Sequence, residues 1–389
     1  MCCACDGPTA PLAATAMLRT SGRLEGEPAV RAAIYHGANQ PMPIEEVEVD
    51  DPWPREVLVR TAASGVCHSD LMFVEGIGQW PTPGILGHEG SGVVEAVGSD
   101  VSYVQPGDRV IVTGVVFCGQ CEECLSDNPH RCLDRPRRRR HERPRITLNG
   151  EGVLALTNVG SFAEYMLVPD AGVVKLPDDV PLDTACLVSC GVITGLGAVF
   201  RSAELTPGTT AAVFGLGGVG LSVVQGARIA GASRIIAVDL TDEKLERARL
   251  LGATDTVNAS EVDDPVEAIR DLTEGRGVHY SFEAIGMKAT AEQAFACTRA
   301  GGTASIIGAG ITAPLELPPN LLIQDRRIQG VFMGRTRARV DIPRYLELYR
   351  QGQLKLDELV TRRGRLEDLD QAFEDQRAHV GARTILLFD

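Results

Sequence analysis

Cysteine is the residue type whose placement first demands a chemical explanation. Of 11 cysteines in the chain, four crowd together as Cys118, Cys121, Cys124 and Cys132, a C-x2-C-x2-C-x7-C run. Thiolates are soft, charged ligands that suit the tetrahedral demand of zinc, and four protein ligands close the shell against substrate. The run therefore reads as a structural zinc site that pins a loop with little core of its own. Redox-active thiols and an iron–sulfur cluster are the competing readings. The close packing of the first three cysteines in loop-like sequence weighs against both.

A second group is spread along the chain. Cys67 lies in Gly65-Val66-Cys67-His68-Ser69-Asp70, His88 and Glu89 in Gly87-His88-Glu89, and Cys190 in Ser189-Cys190-Gly191. Two thiolates and one imidazole leave a fourth position open, which is the catalytic pattern for zinc. Spacing alone carries little weight, because a lone histidine or cysteine is more often a core residue. Cys186 and Cys297, in apolar surroundings, read as such core residues. Cys2, Cys3 and Cys5 belong to an N-terminal extension, residues 1–28, that reads as disordered. Metal binding there is the sharper alternative, and Met17 an alternative start.

Glycine supplies the third pattern. Gly215-Leu216-Gly217-Gly218-Val219-Gly220 fits G-x-G-x-x-G, a weak signal alone. Here it follows a predicted strand, Thr210 to Phe214, and opens a predicted helix through Ala230, the context the motif requires. Gly215 permits the tight turn, Gly217 lets the backbone approach a pyrophosphate, and Gly220 lets helix pack on strand. Asp239 ends the second predicted strand, 24 residues after Gly215. A carboxylate there binds the ribose hydroxyls of NAD and repels the extra phosphate of NADP. The bland alternative is a glycine-rich turn with a helix-capping Asp. Strand, glycines, helix, strand and acid in register leave it little room.

These residues need scaffolds to hold them. From about Ala29 to Val112, short alternating runs such as Glu56 to Arg60 and Gly92 to Val97, and the strand Arg109 to Val112 after a Pro-Gly turn, predict a β-rich lobe. Residues 133–160 read as a long, Arg-rich surface insertion, and a strand pattern resumes from Ser161 to Val168. From about Val192, strands alternate with helices (Asp242 to Leu251 among them), which predicts a parallel sheet covered on both faces. A helix near Pro343 to Gln351 and a final strand, Thr384 to Phe388, complete the chain.

The bulk numbers agree. A length of 389 residues suits two lobes, and 44% hydrophobic residues can build their cores. A net charge of −14 argues against nucleic acid as a partner. No apolar run is long enough to span a membrane, and Met1 to Asp6 does not read as a signal peptide. The cytoplasm is the expected compartment, where thiols stay reduced. Arg135, Arg137, Arg138, Arg139, Arg140, Arg143 and Arg145 go against the average. A solvated surface loop is the favoured reading, and an electropositive rim for an acidic substrate or cofactor phosphate the sharper one.

Taken together, the motifs resemble the zinc-containing alcohol dehydrogenases of the medium-chain dehydrogenase/reductase superfamily. The resemblance runs from about residue 29 to 389 in the family's order. It implies an α/β protein: a GroES-like catalytic domain (29–191 and 335–389, with the zinc lobe 118–132) and a Rossmann domain (192–334). It implies two zinc ions per chain and NAD. Cys67, His88 and Cys190 match the catalytic zinc ligands, and Glu89 an acid beside the metal that can approach it. Asp70 matches the carboxylate that orients the imidazole, and Ser69 the hydroxyl that takes the substrate's proton. His68 and Arg383 match residues near the pyrophosphate, Lys244 a lysine at the adenosine ribose, and Thr194 a residue near the nicotinamide. The implied reaction is reversible oxidation of an alcohol to an aldehyde or ketone. Family members associate through their cofactor lobes, and a long insertion such as 133–160 favours a homodimer over a homotetramer.

Three positions depart from the pattern. Met72 stands where several members carry a histidine that finishes the proton relay. Gly114 replaces a bulky aromatic, and Gly78 a frequent leucine, which together predict a roomier pocket for larger or aromatic alcohols. The Arg cluster and that pocket also motivate a thiol-dependent formaldehyde dehydrogenase acting on an S-hydroxymethyl thiol. A non-catalytic descendant of the family is the third reading, disfavoured by the intact ligands and fingerprint.

Overall fold

Three sheets organise the chain in the computed structural model, which describes residues 30–139 and 141–389. The extension 1–28, with Cys2, Cys3, Cys5 and Met17, and Arg140 of the arginine cluster lie outside the described residues. A small closed barrel joins β1 (Val30–Tyr35), β2 (Ile44–Val49), β7 (Ile146–Leu148), β8 (Glu151–Ala155) and β4 (Gly84–Ile85). Against it lies a seven-stranded sheet in the order β10 (Val173–Lys175), β6 (Arg109–Thr113), β5 (Glu89–Val97), β3 (Glu56–Val66), β18 (Arg383–Leu387) and β17 (Val360–Gly364), with β9 (Tyr165–Pro169) also paired to β3. The C-terminal strands thus rejoin the sheet begun near the N-terminus, Ile385 pairing with Gly65.

The third sheet is all parallel: β13 (Asp255–Asn258), β12 (Arg234–Asp239), β11 (Thr210–Phe214), β14 (Val278–Glu283), β15 (Thr298–Ile306) and β16 (Arg327–Gly330). Strands β11 and β12 are nearly continuous apolar runs because helices cover both faces. Ala211, Ala212, Val213 and Phe214 are all buried. Strand order reverses between β11 and β14, and in such sheets ligands bind in the crevice at that switch point. The expected strands and helices of this lobe appear with bounds shifted by at most a residue. No single helix among the described residues is long and apolar enough to cross a membrane.

Segment 133–160 is not a surface insertion. It contributes the hairpin β7–β8 to the barrel, with Ile146, Leu148 and Val153 buried. Its apolar residues are too few and too short-spaced to show strand periodicity, and closure of the barrel decides their conformation. Nor does Ser161 begin a regular strand. Ser161 and Phe162 donate their N–H groups to Gly87 and Leu86, and Ala163 bridges to Ala32 before β9 starts at Tyr165. The helix expected from Pro343 begins at Ala338 and holds Pro343 inside it. Asp341 accounts for the earlier start, because its Oδ2 accepts the Arg337 N–H at 2.8 Å. Cys186 and Cys297 are buried core residues, as their surroundings imply.

Candidate active site

Each member of the dispersed Cys/His group sits at an element boundary. Cys67 caps the helix His68–Val74 with extended backbone (φ −110°, ψ 150°). His88 and Glu89 enter β5, and Cys190 lies at the 53° bend between the helical segments Leu182–Ser189 and Gly191–Ala203. One ligand atom from each of Cys67, His88, Glu89 and Cys190 lies within 4.8 Å of the others, and all four residues are buried.

Asp70 holds this corner together. Its Oδ1 accepts from Gly87 N–H (3.0 Å) and faces His88 Nδ1 (2.9 Å), while Oδ2 accepts from Cys67 N–H (3.1 Å). The ring is thereby fixed, and Nε2 is left as its free ligand atom. Burial disfavours a charged His88, but Asp70 and Cys67 outweigh it and raise its pKa well above the ordinary value. The Cys190 thiol, hydrogen-bonded to Cys67, and the nearby His88 hold Cys67 well below the ordinary thiol range. Two thiols and an imidazole converging with a favoured thiolate form a donor set that fits zinc. Ser69 Oγ stands 3.8 Å from Cys67 Sγ.

Glu89 is held beside the group by two contacts. Its Oε2 accepts from Arg383 Nη2, and Oε1 accepts from Gly191 N–H at 3.3 Å. Burial pushes the carboxyl up to about 7, against the pull of Arg383. Burial works against the Arg383 charge too, but Glu89 and the thiols of Cys67 and Cys190 more than offset it and raise its pKa.

Arg383 continues from there to the glycine turn. A Cβ built on Gly218 would lie 2.5 Å from Arg383 Cδ. Gly215 has φ +87°, which a side chain would strain, and a Cβ on Gly220 would lie 1.7 Å from Gly215 O. A Cβ on Gly217 meets open space, the room a pyrophosphate needs beside the start of the helix Gly218–Ile229. Val219 is half-buried in that first turn. Asp239 ends β12 and turns its carboxylate to the same turn, Oδ2 accepting from Leu216 N–H at 2.7 Å. Lys244 Nζ lies 3.9 Å from Asp239 Oδ1. Thr194 is buried in the helix Gly191–Gly197, and His68 is exposed at the first position of its helix.

The four-cysteine lobe is compact in the same way. One sulfur from each of Cys118, Cys121, Cys124 and Cys132 lies within 4.8 Å of the rest. Backbone N–H groups already point at the sulfurs, from Cys121 to Cys118 (3.3 Å) and from Cys118 to Cys132 (3.2 Å). Such donors favour thiolate, so this set also fits a tetrahedral cation.

Comparisons with known proteins agree with this geometry. Residues 53–178 match the alcohol dehydrogenase GroES-like domain, and residues 218–351 the zinc-binding dehydrogenase family. A structure described as an alcohol dehydrogenase zinc-binding domain protein from Burkholderia ambifaria is 36% identical, covers 93% of this chain and 99% of its own, and superposes with a TM-score of 0.88. Benzyl alcohol dehydrogenase from Acinetobacter calcoaceticus is 31% identical over 93% of this chain and 100% of its own, with a TM-score of 0.87. The chain belongs to the zinc-dependent alcohol dehydrogenase family. A further zinc-binding dehydrogenase, from Sinorhizobium meliloti, was solved bound to NADP; it is 26% identical over 93% of this chain and 100% of its own, with a TM-score of 0.78.

Within this dehydrogenase, two sequence expectations need correction. The pocket is not enlarged by its glycines. A Cβ on Gly114 would lie 2.8 Å from Thr157 Cβ, and one on Gly78 would lie 2.8 Å from the Phe73 ring. Neighbouring side chains occupy both spaces. The arginine cluster is not simply a solvated loop or a rim. Arg138 is 5% exposed, paired with Asp50 and Glu56, and lies 4.1 Å from the centre of the Trp53 ring. Arg143 pairs with Asp50 and Arg145 with Glu56. Burial works against the Glu56 charge, but Arg138 and Arg145 outweigh it and hold the carboxyl below its usual range. Two buried carboxylates require these cations. Arg137 and Arg139 are exposed.

Several contacts around the site have no sequence signal. Thr157 adopts φ +52°, rare for a β-branched residue, beside Gly114. Met72 Cε lies 3.7 Å from where a Gly310 Cβ would stand, so the helix after Cys67 touches the cofactor lobe. Asp127 of the four-cysteine lobe pairs with Arg201 and Arg337. No local motif marks these contacts, since each joins residues distant in sequence.

Proposed function

We propose that this dehydrogenase reversibly oxidises an alcohol to an aldehyde or ketone and passes the hydride to NAD. The observation that carries the reading is Arg383, which touches Glu89 of the Cys67/His88/Cys190 group and Gly218 of the glycine turn. One side chain spans the Cys67/His88/Cys190 group and the dinucleotide turn, so both reactants would meet around it.

Cys67, His88 and Cys190 would hold zinc, which when bound would supply Lewis-acid polarisation of a substrate oxygen. Asp70 keeps the His88 ring in place throughout. Ser69 Oγ would take the substrate's hydroxyl proton, and Thr194 would hold the nicotinamide, which when bound would supply the hydride acceptor. Met72 carries no titratable group, so the proton would leave through a cofactor hydroxyl, water or another accepting group. Asp239 would favour NAD by accepting from its ribose hydroxyls, Lys244 would stand at the adenosine ribose, and His68 and Arg383 would serve the pyrophosphate. Cys118, Cys121, Cys124 and Cys132 would hold a second zinc that braces the lobe.

The protein acts in the cytoplasm, where the ligand thiols stay reduced, on a small-molecule alcohol or aldehyde and without nucleic acid or membrane. Assembly is through the cofactor lobe, where β16 is an edge strand and Ile323 and Phe332 are exposed. The hairpin in 133–160 removes the insertion as an argument for a dimer over a tetramer.

The test is absorbance of the reduced nicotinamide with a panel of aliphatic and benzylic alcohols, NADP in parallel, and formaldehyde plus a thiol as one member. Turnover of free alcohols with NAD is expected. Turnover only with formaldehyde and thiol together transfers the assignment to the thiol-dependent reaction. No turnover on protein holding both zinc ions overturns the substrate class.

A further inference from the structure

Glu283 ends β14 with a fully buried side chain. It pairs in register with Phe214, the last residue of β11, and so stands at the switch point where the crevice opens. Three donors converge on its Oε1: Ile285 N–H (3.0 Å), Gly286 N–H (2.7 Å) and the Thr290 hydroxyl (2.8 Å). Its Oε2 is buried with no hydrogen-bond partner among the described residues. Burying a carboxylate costs far more than burying an apolar side chain of the same size. Packing alone does not explain this residue.

What it holds is a stack of backbone. Ile285 covers the glycine turn, its Cγ1 lying 2.4 Å from where a Gly215 Cβ would stand. A Cβ on Gly286 would lie 2.1 Å from Ala309 O, and one on Gly308 would lie 2.1 Å from Gly286 N. The loops 284–287 and 307–310 therefore press together with no side chain between them. The Glu283 carbonyl joins them again, accepting from Ile307 N–H (2.8 Å) and Gly308 N–H (3.0 Å). At the far end Gly310 abuts Met72, on the helix that also carries Ser69.

We propose that Glu283 is a positioning residue for the reaction: its carboxylate fixes loop 284–287 at the crevice and, through Gly286 and Gly308, sets where the nicotinamide end of the dinucleotide lies against Ser69 and Met72. The inference rests on the dinucleotide reading above. It assigns Glu283 no contact with substrate.

The test uses the full chain with its metals, as parent, Glu283→Ala, Glu283→Gln and Thr290→Val. NADH binding is read by fluorescence, KM and kcat by turnover, and loop order by amide hydrogen exchange at Ile285 and Gly286. Glu283→Ala is expected to raise the NADH Kd and the dinucleotide KM roughly tenfold, the scale of losing hydrogen bonds to a charged acceptor. Its zinc content stays at the parent's value and the two amides exchange faster. Glu283→Gln keeps an acceptor for the three donors and restores Kd to within about threefold of the parent. Thr290→Val removes one donor and gives a smaller change of the same sign. Parental Kd, KM and kcat in Glu283→Ala overturn the proposal. If that variant does not fold, parental Kd and exchange in Thr290→Val do so. A parent protein that binds no dinucleotide overturns the dinucleotide reading, and this inference with it.

Discussion

Arg383 opens the last strand and donates from Nη2 to Glu89 Oε2, while its guanidinium passes beside Gly191 and Gly218. The pair is almost wholly buried, so its members depend on each other more than any surface pair does. Breaking a buried pair by removing one partner leaves an uncompensated charge and costs about 3–5 kcal/mol. Arg383→Met should therefore lower thermal stability by that order and raise the dinucleotide KM. The double variant Arg383→Met/Glu89→Gln should recover most of the stability and none of the KM. Recovery of both in the double variant would remove Arg383 from the dinucleotide site.

Asp239 makes a second prediction through its two roles. Its Oδ2 already accepts Leu216 N–H, and Oδ1 accepts Leu240 N–H at 2.8 Å. Ribose hydroxyls would add charge-assisted bonds worth roughly 1.5–3 kcal/mol each. Asp239→Asn should raise KM for NAD by roughly tenfold or more, on the scale of one such bond, and narrow the preference over NADP. Steady-state kinetics with both dinucleotides decides it. An unchanged ratio of kcat/KM values would place discrimination elsewhere.

His279 predicts how stability follows pH. Arg299 Nη1 lies 2.9 Å from its Nε2, and on the other side Nδ1 accepts from the Thr210 N–H at 3.2 Å with Thr210 Oγ1 2.9 Å away. Burial, then Arg299 and Arg276, lowers the pKa from 6.5. The unfolded chain therefore binds more protons than the folded one below that value. The contribution is complete above pH 6.5 and is lost as pH falls through the folded pKa. Urea unfolding from pH about 8 to about 5 should show a shallower decline in His279→Asn than in the parent. Parallel curves would mean that other groups govern the slope.

Legibility in the sequence divides along the same lines. Gly215, Gly220 and Asp239 are readable because one turn within a strand–turn–helix unit dictates them. The two Cys/His groups are readable in part. Close spacing marks Cys118 to Cys132, whereas Cys67, His88 and Cys190 meet only because β3, β5 and a bent helix converge. Glu283, Thr157 and the pairing of Arg138 with Asp50 and Glu56 are tertiary facts without local signature. The arginine cluster shows the hazard: seven like charges read as solvent-facing until two buried carboxylates supply the reason for three of them.

The four-cysteine lobe gives a prediction by metal removal. Asp127 ties it to Arg201 and Arg337, beside the helix that begins after Cys190. Cys121→Ser should reduce zinc from about two ions to about one per chain. The lobe should then become the first site of limited proteolysis. Metal analysis and peptide mapping check both. A parent holding a single zinc would contradict the two-site reading directly.

Thr157 and Gly114 carry the last prediction, on substrate size. The resemblance places Gly114 where many family members set a bulky aromatic against the substrate. Here Thr157, held at φ +52°, stands 2.8 Å from the same space. Substituting it should therefore enlarge the pocket where the glycine by itself does not. Thr157→Ala removes a hydroxyl and a methyl group, and one methylene in such a pocket is worth about 1–3 kcal/mol. The ratio of kcat/KM for a benzylic over a short aliphatic alcohol should rise roughly tenfold, at the low end of that range. Removing the β-branch at a positive φ does not add strain, so a melting temperature at or above the parent's serves as the control. Thr157→Val, which keeps the volume, should leave the ratio near the parent's. A shift in Thr157→Val equal to that in Thr157→Ala would trace the effect to the hydroxyl and not to size.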